Sequence, residues 1–292
     1  MDSPIKKHRP GASLRAIILG AAGRPEVLAE AQRLRGEIER YVEIVKTDFT
    51  GNDDMSSVDA DLAIVLGGDG SILRAARQMG HRQLPVVAVN MGRLGFLANI
   101  LASELPVTLK DYQSGLLNVA EHLMFECSLI RAGEVLLQQL GLNEVAVLAG
   151  TPFSLININL YVDSELVTSY SCDGLMISTP VGSTAHCLSA GGPILRQTMQ
   201  AFVILPISPH TLTNRPVVDT ADHVYEMEAT NPNPGTSAVS DGRVLCQLQP
   251  GDRIRVEQST AKFKLITGQG HGYYRTLREK LGWGGQINFN KQ

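Results

Sequence analysis

Gly67-Gly68-Asp69-Gly70-Ser71 joins an apolar strand-like segment, Leu62 to Leu66, to a helix-like one, Ile72 to Met79. Glycine has no Cβ, so a turn of this composition reaches positive φ and leaves main-chain N–H groups open to an anion. The N-terminus of the following helix adds partial positive charge. That is a place for phosphates. A carboxylate among phosphates is repelled by them, so Asp69 needs a task that offsets the repulsion, such as holding a metal or taking a proton from a hydroxyl. Together these features point to phosphoryl transfer to an alcohol. Gly-Gly-Asp-Gly is also the composition of a tight strand-to-helix connection in which Asp merely caps the helix, and the tetrapeptide alone leaves both readings open. Two better-known loops are excluded by inspection. No Gly-x4-Gly-Lys-Ser/Thr occurs, and Leu73 stands where the dinucleotide fingerprint has its third glycine.

A second constellation lies between Asp173 and Ile194, a stretch too polar, small and turn-rich to be a buried strand throughout. Its hydroxyls and glycines suit a loop wrapped around a polar ligand such as a nucleoside. Three other places have two readings each. Asn143-Glu144 either binds a ligand or ends the strand before Val145. Arg74, one helical turn past the glycine-rich loop, either reaches a phosphate or is a solvated helix residue. His186 and His210 are either ligand contacts or packing and turn residues.

These groups must be positioned by a fold that the chain's length and rhythm describe. At 292 residues, 43% of them hydrophobic, the chain can bury a sizeable core and is expected to form two domains. A net charge of −3 offers no broad basic field for nucleic acid. The dense basic cluster Lys6-Lys7-His8-Arg9 sits in a Pro-containing tail, residues 1–12, expected to be disordered. Apolar runs such as Ala201 to Leu205 are far too short to span a bilayer, so no membrane partner is expected. Cys127, Cys172, Cys187 and Cys246 are scattered without a Cys-x-x-Cys pair, which argues against a zinc site or disulfide framework and fits a reducing cytoplasm.

Residues 13–118 alternate strand and helix signals. Leu14 to Leu19 is apolar. Pro25 opens a helix through Arg40, with Val27, Leu28, Leu34 and Ile38 spaced for one buried face. Val42 to Val45, Leu62 to Leu66 and Pro85 to Asn90 supply further strands. This βαβ rhythm predicts a parallel sheet with its ligand at the carboxyl ends of the strands, where Gly67 and Asn90 both fall. Over residues 119–268 the rhythm changes. Ile156, Ile158, Leu160 and Val162 alternate with Asn157, Asn159, Tyr161 and Asp163, the period of a half-buried strand, and short strands follow at Ile254 to Val256 and Phe263 to Leu265. This part is expected to be β-rich. The last segment, 269–292, holds a helix-like stretch from Tyr273 to Leu281 that is expected to pack back on the first domain.

The order of the motifs resembles that of the NAD kinase family. Its signature contains Gly-Gly-Asp-Gly, a later Asn-Glu, and Asp-Gly followed by Ser-Thr-Pro-x-Gly-Ser-Thr-Ala and Ser-Ala-Gly-Gly-Pro. These stand here as Gly67 to Gly70, Asn143-Glu144 and Asp173 to Pro193. The resemblance extends to Asn90 to Leu97, Pro206 to Pro216 and Leu277 to Trp283, and so covers nearly everything after the tail. Gly-Gly-Asp-Gly alone is shared with lipid kinases and phosphofructokinases; the long second stretch is the specific part.

The resemblance implies an N-terminal α/β domain that binds nucleotide and phosphate, and a β-rich C-terminal domain that binds NAD. It also implies transfer of the γ-phosphoryl group of ATP, or in some members phosphate from polyphosphate, to the adenosine 2′-hydroxyl of NAD. By that resemblance Asp69 is the proton acceptor, Gly70 lines the same pocket, and Gly67, Gly68, Gly70, Ser71 and Arg74 face the phosphates. Asn143 and Glu144 would bind ribose hydroxyls, and Asp173 with the run Thr184, Ala185, His186, Cys187, Leu188 and Ser189 would hold the rest of the dinucleotide. A divalent cation, Mg²⁺, would screen the donor phosphates. The family's habit is a homodimer or homotetramer.

Four positions depart from the pattern: Val181 replaces a hydroxyl, His186 a tyrosine, Ser171 an arginine, and Arg243 a glutamine after Asp241-Gly242. They bear on dinucleotide affinity and on NAD against NADH. They also keep alive a dinucleotide-binding regulator that has lost turnover, beside a lipid or sugar kinase of the wider Gly-Gly-Asp-Gly group.

Overall fold

The structure, a computed structural model, describes residues 14–21, 23–92, 95–152, 154–210, 214–268 and 273–282. The tail expected to be disordered and Trp283 of the last motif lie outside the described residues. The chain forms two units: residues 1–79, 84–120 and 264–292 make the first, and residues 80–83 and 121–263 the second.

In the first unit β1 (Leu14–Gly20), α1 (Pro25–Ile38), β2 (Val42–Asp48), β3 (Leu62–Gly67), α2 (Asp69–Met79), β4 (Pro85–Asn90), the two-residue β5 (Ile100–Leu101) and α3 (Leu105–Gln113) follow one another. The strands pair in the order β4-β3-β1-β2, all parallel, and β5 pairs in parallel with the last two residues of β4. Fully buried runs such as Leu62 to Gly67 are what a parallel sheet covered on both faces requires. Pro25 at the start of α1 lacks the N–H that would be unsatisfied there, and its fixed φ suits the first turn. The buried stripe of α1 is Val27, Ala31, Leu34 and Ile38, spaced by four, three and four residues. Leu28, expected in that stripe, is 42% exposed, because it lies one residue, about 100°, around the helix from Val27. The stripe packs with Leu105 and Leu109 of α3 against Ala16, Ile18, Ile64, Leu66 and Val87. Each such aliphatic side chain contributes roughly 1.5–3 kcal/mol on burial.

The second unit is a sandwich of antiparallel sheets. One sheet holds most of β6 (Val119–Arg131), then β7 (Glu134–Gly141), β9 (Ile156–Val162), β10 (Glu165–Cys172), β14 (Tyr225–Ala229) and most of β17 (Arg253–Ile266). The other has the order β13-β12-β11-β8-β15-β16, where β8 is Glu144–Leu148, β11 Gly174–Ser178, β12 Ala201–Ile207, β13 Val217–Thr220, β15 Ser237–Ser240 and β16 Arg243–Gln247. Phe125, Cys127, Ile158, Leu160, Tyr225 and Val256 from the first sheet meet Val145, Val147, Leu175, Ile177, Phe202 and Ile204 from the second. The alternation read at residues 156–162 is borne out: Ile156, Ile158 and Leu160 are buried and Asn157 is exposed. The two short strands expected at Ile254 and Phe263 are one strand, β17, whose last residues pair in parallel with Pro85 and Val86 in the first unit. Its Gln258-Ser259-Thr260 centre reads as a turn, but the ladder carries it through. The short α4 (His186–Ser189) belongs to the second unit and α5 (Tyr273–Leu281) to the first.

Candidate active site

In the first unit Gly67 and Asn90 are paired residues at the carboxyl ends of β3 and β4, where the parallel rhythm places a ligand site. Gly67 has φ 150°, a backbone that side-chain-bearing residues rarely adopt, and a Cβ there would overlap the Ser71 side chain folded over it. Helix α2 starts at Asp69, earlier than the apolar run suggests, so Asp69, Gly70 and Ser71 form its first turn. Their N–H groups are among those an α-helix leaves without intrahelical partners, although the Ser71 N–H donates to the Gly68 carbonyl at 2.9 Å. A Cβ at Gly68, Gly70 or Gly92 would meet nothing, so the space beside this turn is open.

Asp69 does not cap its own helix. Its Oδ2 accepts the Phe96 N–H at 2.8 Å, and its Oδ1 accepts the N–H groups of Leu97 at 3.1 Å and Ala98 at 3.0 Å. The capping alternative therefore gives way to a carboxylate held by the loop that follows β4. That loop is itself tied in place: Gly67 O accepts the Met91 N–H, Asn90 Oδ1 accepts the Gly92 N–H, and Ala98 O accepts the Gly95 N–H. A carboxylate oxygen carries two acceptor sites, so Oδ2, with one N–H, retains one for a hydroxyl proton. Asp69 is half-buried and Gly70 exposed, which leaves that face reachable. Arg74 lies elsewhere: its side chain crosses Gly51, where a Cβ would overlap it, and its buried Nη1 has no hydrogen-bond partner.

The second unit assembles Asn143, Glu144 and the loop after β11. Asn143 precedes β8 and Glu144 opens it, both buried. The Asn143 carbonyl accepts the Thr179 N–H at 2.8 Å, the Leu142 carbonyl accepts the Thr179 hydroxyl at 2.6 Å, and Thr179 Oγ1 takes the Gly182 N–H at 3.1 Å. Gly182 is required there, since a Cβ would overlap the Asn143 carbonyl. The Ser183 hydroxyl donates to the Pro180 carbonyl and accepts the Leu195 N–H, folding the segment back on itself. Along the expected dinucleotide run, Thr184 is buried and bonded to the Val181 carbonyl, Ala185 and Leu188 are half-buried, and His186 and Ser189 are exposed. Cys187 packs with Ala146, Met176 and Val203, and burial pushes its thiol up to about 11. Asp173, between β10 and β11, is exposed while its main chain is tied to Ala149 and Ile207.

Glu144 carries the strongest electrostatic anomaly of this unit. Its Oε2 is buried without a hydrogen-bond partner. Burial, and secondarily the Asp241 carboxylate, push it up to about 8. A carboxyl that keeps its proton at neutral pH can both donate to and accept from a substrate hydroxyl. Asp241, which sequence reasoning did not single out, holds this segment. It accepts the N–H groups of Leu142 at 3.0 Å, Asn143 at 2.8 Å and Glu144 at 3.3 Å. Asp-Gly between two strands is a hairpin-turn signal in its own right, and φ values of 47° and 74° at Asp241 and Gly242 are those of such a turn, so nothing in the dipeptide separates the two uses.

Among the described residues no group of three or more His, Cys, Asp and Glu could hold a metal ion, and no helix is long and apolar enough to cross a membrane.

Solved structures share this architecture. Yeast NADH kinase, solved with NADH, superposes with a TM-score of 0.83 over 97% of this chain and 91% of its own, at 22% identity. An NAD kinase from Archaeoglobus fulgidus, solved with ATP, gives 0.73 over 92% and 98%, at 26% identity. The fold is thus the two-domain fold of nucleotide-dependent kinases. The model of the ATP-NAD kinase N-terminal domain matches residues 28–116 and that of the ATP-NAD kinase C-terminal domain residues 142–268. An NAD kinase of Rhodopirellula baltica is 50% identical over 94% of this chain and 88% of its own. The chain belongs to the ATP-NAD kinase family. It is a kinase that phosphorylates NAD, and the lipid or sugar kinase and the inactive regulator are not favoured.

Proposed function

We propose that Asp69 takes the proton of the adenosine 2′-hydroxyl of NAD as that oxygen accepts the γ-phosphoryl group of ATP, yielding NADP and ADP. The observation that carries this reading is the carboxylate held by three main-chain N–H groups, with an oxygen left to accept, at the start of the helix that follows the glycine-rich turn. Fixing the base in advance removes the need to orient it during the reaction. Gly67, Gly68, Gly70 and Ser71 receive the phosphates at the first turn of α2. Arg74 joins them only by leaving its place against Gly51. In the second unit Asn143 and Glu144 bind ribose hydroxyls, and Asp173, Thr184, Ala185, His186, Leu188 and Ser189 the remainder of the dinucleotide. Cys187 contributes through its main chain, since its side chain is core. Mg²⁺ would be held by the ATP phosphates beside the turn of Gly67, Gly68 and Gly70 and would screen their charge.

Incubation of the purified protein with Mg²⁺, NAD and either ATP or polyphosphate, followed by NADP detection, tests the reaction and its donor. Asp69→Asn should lower kcat by ~10²–10⁴-fold while retaining NAD binding. A variant that keeps half its kcat refutes the base assignment. Cytoplasmic residence and a homodimer or homotetramer belong to the same reading. They are supported by four free cysteines and by exposed apolar residues such as Val135, Leu136 and Val244, and sedimentation checks the assembly.

A further inference from the structure

Two carboxyl groups that both belong to the second unit are arranged unequally. The Asp241 carboxylate gathers the N–H groups of Leu142, Asn143 and Glu144, and the Asp241 N–H donates back to the Glu144 carbonyl at 3.0 Å. Glu144, six per cent exposed, is left with an oxygen that no donor reaches. The elements packed around Glu144 supply few other charges. β11 opposes it with Ser178, α4 brings the Cys187 thiol, which burial keeps protonated, and the turn after β15 brings Asp241. Among the described residues the charge that acts on Glu144 is that of Asp241, which also fixes its backbone.

We propose that Asp241 is a positioning residue for the dinucleotide: its carboxylate locks the main chain of Asn143 and Glu144 and places a negative charge beside the Glu144 carboxyl. This rests on the reading in which Asn143 and Glu144 bind NAD. One carboxylate does both because a charged acceptor to three N–H groups anchors a loop more firmly than neutral partners do, while like charges in a buried site disfavour a second ionisation. Burial first, and the Asp241 charge second, push the Glu144 carboxyl up to about 8. An ionised carboxylate is the better acceptor for ribose hydroxyls, so kcat/KM for NAD rises through that pH in the wild type.

Asp241→Asn is the test. Asn tolerates the left-handed backbone at φ 47° and keeps an acceptor oxygen, so the hairpin is preserved. With the negative charge gone, the rise of kcat/KM for NAD should shift to lower pH. Its value on the plateau should fall roughly 10-fold through loosened positioning, with KM for ATP unchanged. In a Glu144→Gln background the same change should move no pH limb. An unmoved midpoint, or kinetics like the wild type, overturns the proposal. Should Asp241→Asn fold poorly, Asp241→Glu is the second variant: it keeps the charge and moves the acceptor oxygens away from the three N–H groups, so kcat/KM for NAD on the plateau should fall while KM for ATP stays unchanged, and a plateau equal to the wild type's overturns the proposal. A wild type that makes no NADP, or a Glu144→Gln variant with normal NAD kinetics, instead removes the underlying reading and the proposal with it.

Discussion

Gly95 and Asp69 approach so closely that a Cβ on Gly95 would overlap Asp69 Oδ1. The absence of a side chain at Gly95 is what lets the following N–H groups, from Phe96 to Ala98, close around the carboxylate. Gly95→Ala should therefore push the carboxylate out of its seat. Displacements near 1 Å cost on the order of 10²-fold in rate, so kcat should fall by about that factor. The loss should appear in kcat far more than in KM for ATP. An unchanged kcat would show that the seat is irrelevant to turnover.

Thr179 ties the loop after β11 to the residues before β8 through a hydroxyl that donates to the Leu142 carbonyl and accepts the Gly182 N–H. The residue is fully buried, so Thr179→Val keeps the shape and strands both groups away from water. Each unpaired group costs about 1–3 kcal/mol, which makes roughly 2–6 kcal/mol in total. Chemical denaturation should show that loss, accompanied by a higher KM for NAD. Stability equal to the wild type would mean that other donors take over.

His186 opens α4 and is exposed, where the resemblance calls for tyrosine. His186→Tyr touches no core packing, so the melting temperature should stay put. If the side chain lies against NAD, the larger ring should lower KM for NAD by roughly 2–10-fold, the range for an added aromatic contact. Identical NAD kinetics would show that the side chain points away from the dinucleotide.

The strands and helices were legible because their signals are local. Pro85 to Asn90 and Tyr273 to Leu281 are elements with the limits that their periodicity gave. Leu28 misled because an apolar residue beside Val27 was counted into a stripe that steps by three and four, and β17 was divided because polar residues at its centre imitate a turn. The glycine-rich turn and its acid were readable. The partners that give the acid its posture were not: Phe96 stands 27 positions from Asp69, and Asn143 stands 98 from Asp241. Such contacts are set by strand order, which no local pattern encodes. Asp241 was further hidden because a hairpin turn already accounts for it.

Glu144 couples stability to pH in a direction opposite to that of most carboxylates. In the unfolded chain it ionises near its ordinary 4.5, while burial and then Asp241 hold it protonated in the fold up to about 8. The folded state thus binds the extra proton between those values. The contribution of this group is complete below pH 4.5, declines as pH rises toward 8, and is level above it. The slope is up to about 1.4 kcal/mol per pH unit. Glu144→Gln carries a neutral side chain of the same shape at every pH, so it should melt higher than the wild type at pH 8 and show a smaller advantage at pH 5. The same variant should bind NAD less well. Losing an ionised acceptor for hydroxyls costs roughly 1.5–3 kcal/mol in kcat/KM, so the deficit should widen above pH 8, where the wild type is ionised. Melting curves and NAD kinetics at both ends of the range check the two halves. A variant less stable at pH 8 than the wild type would show that Glu144 is ionised and paired in the native protein.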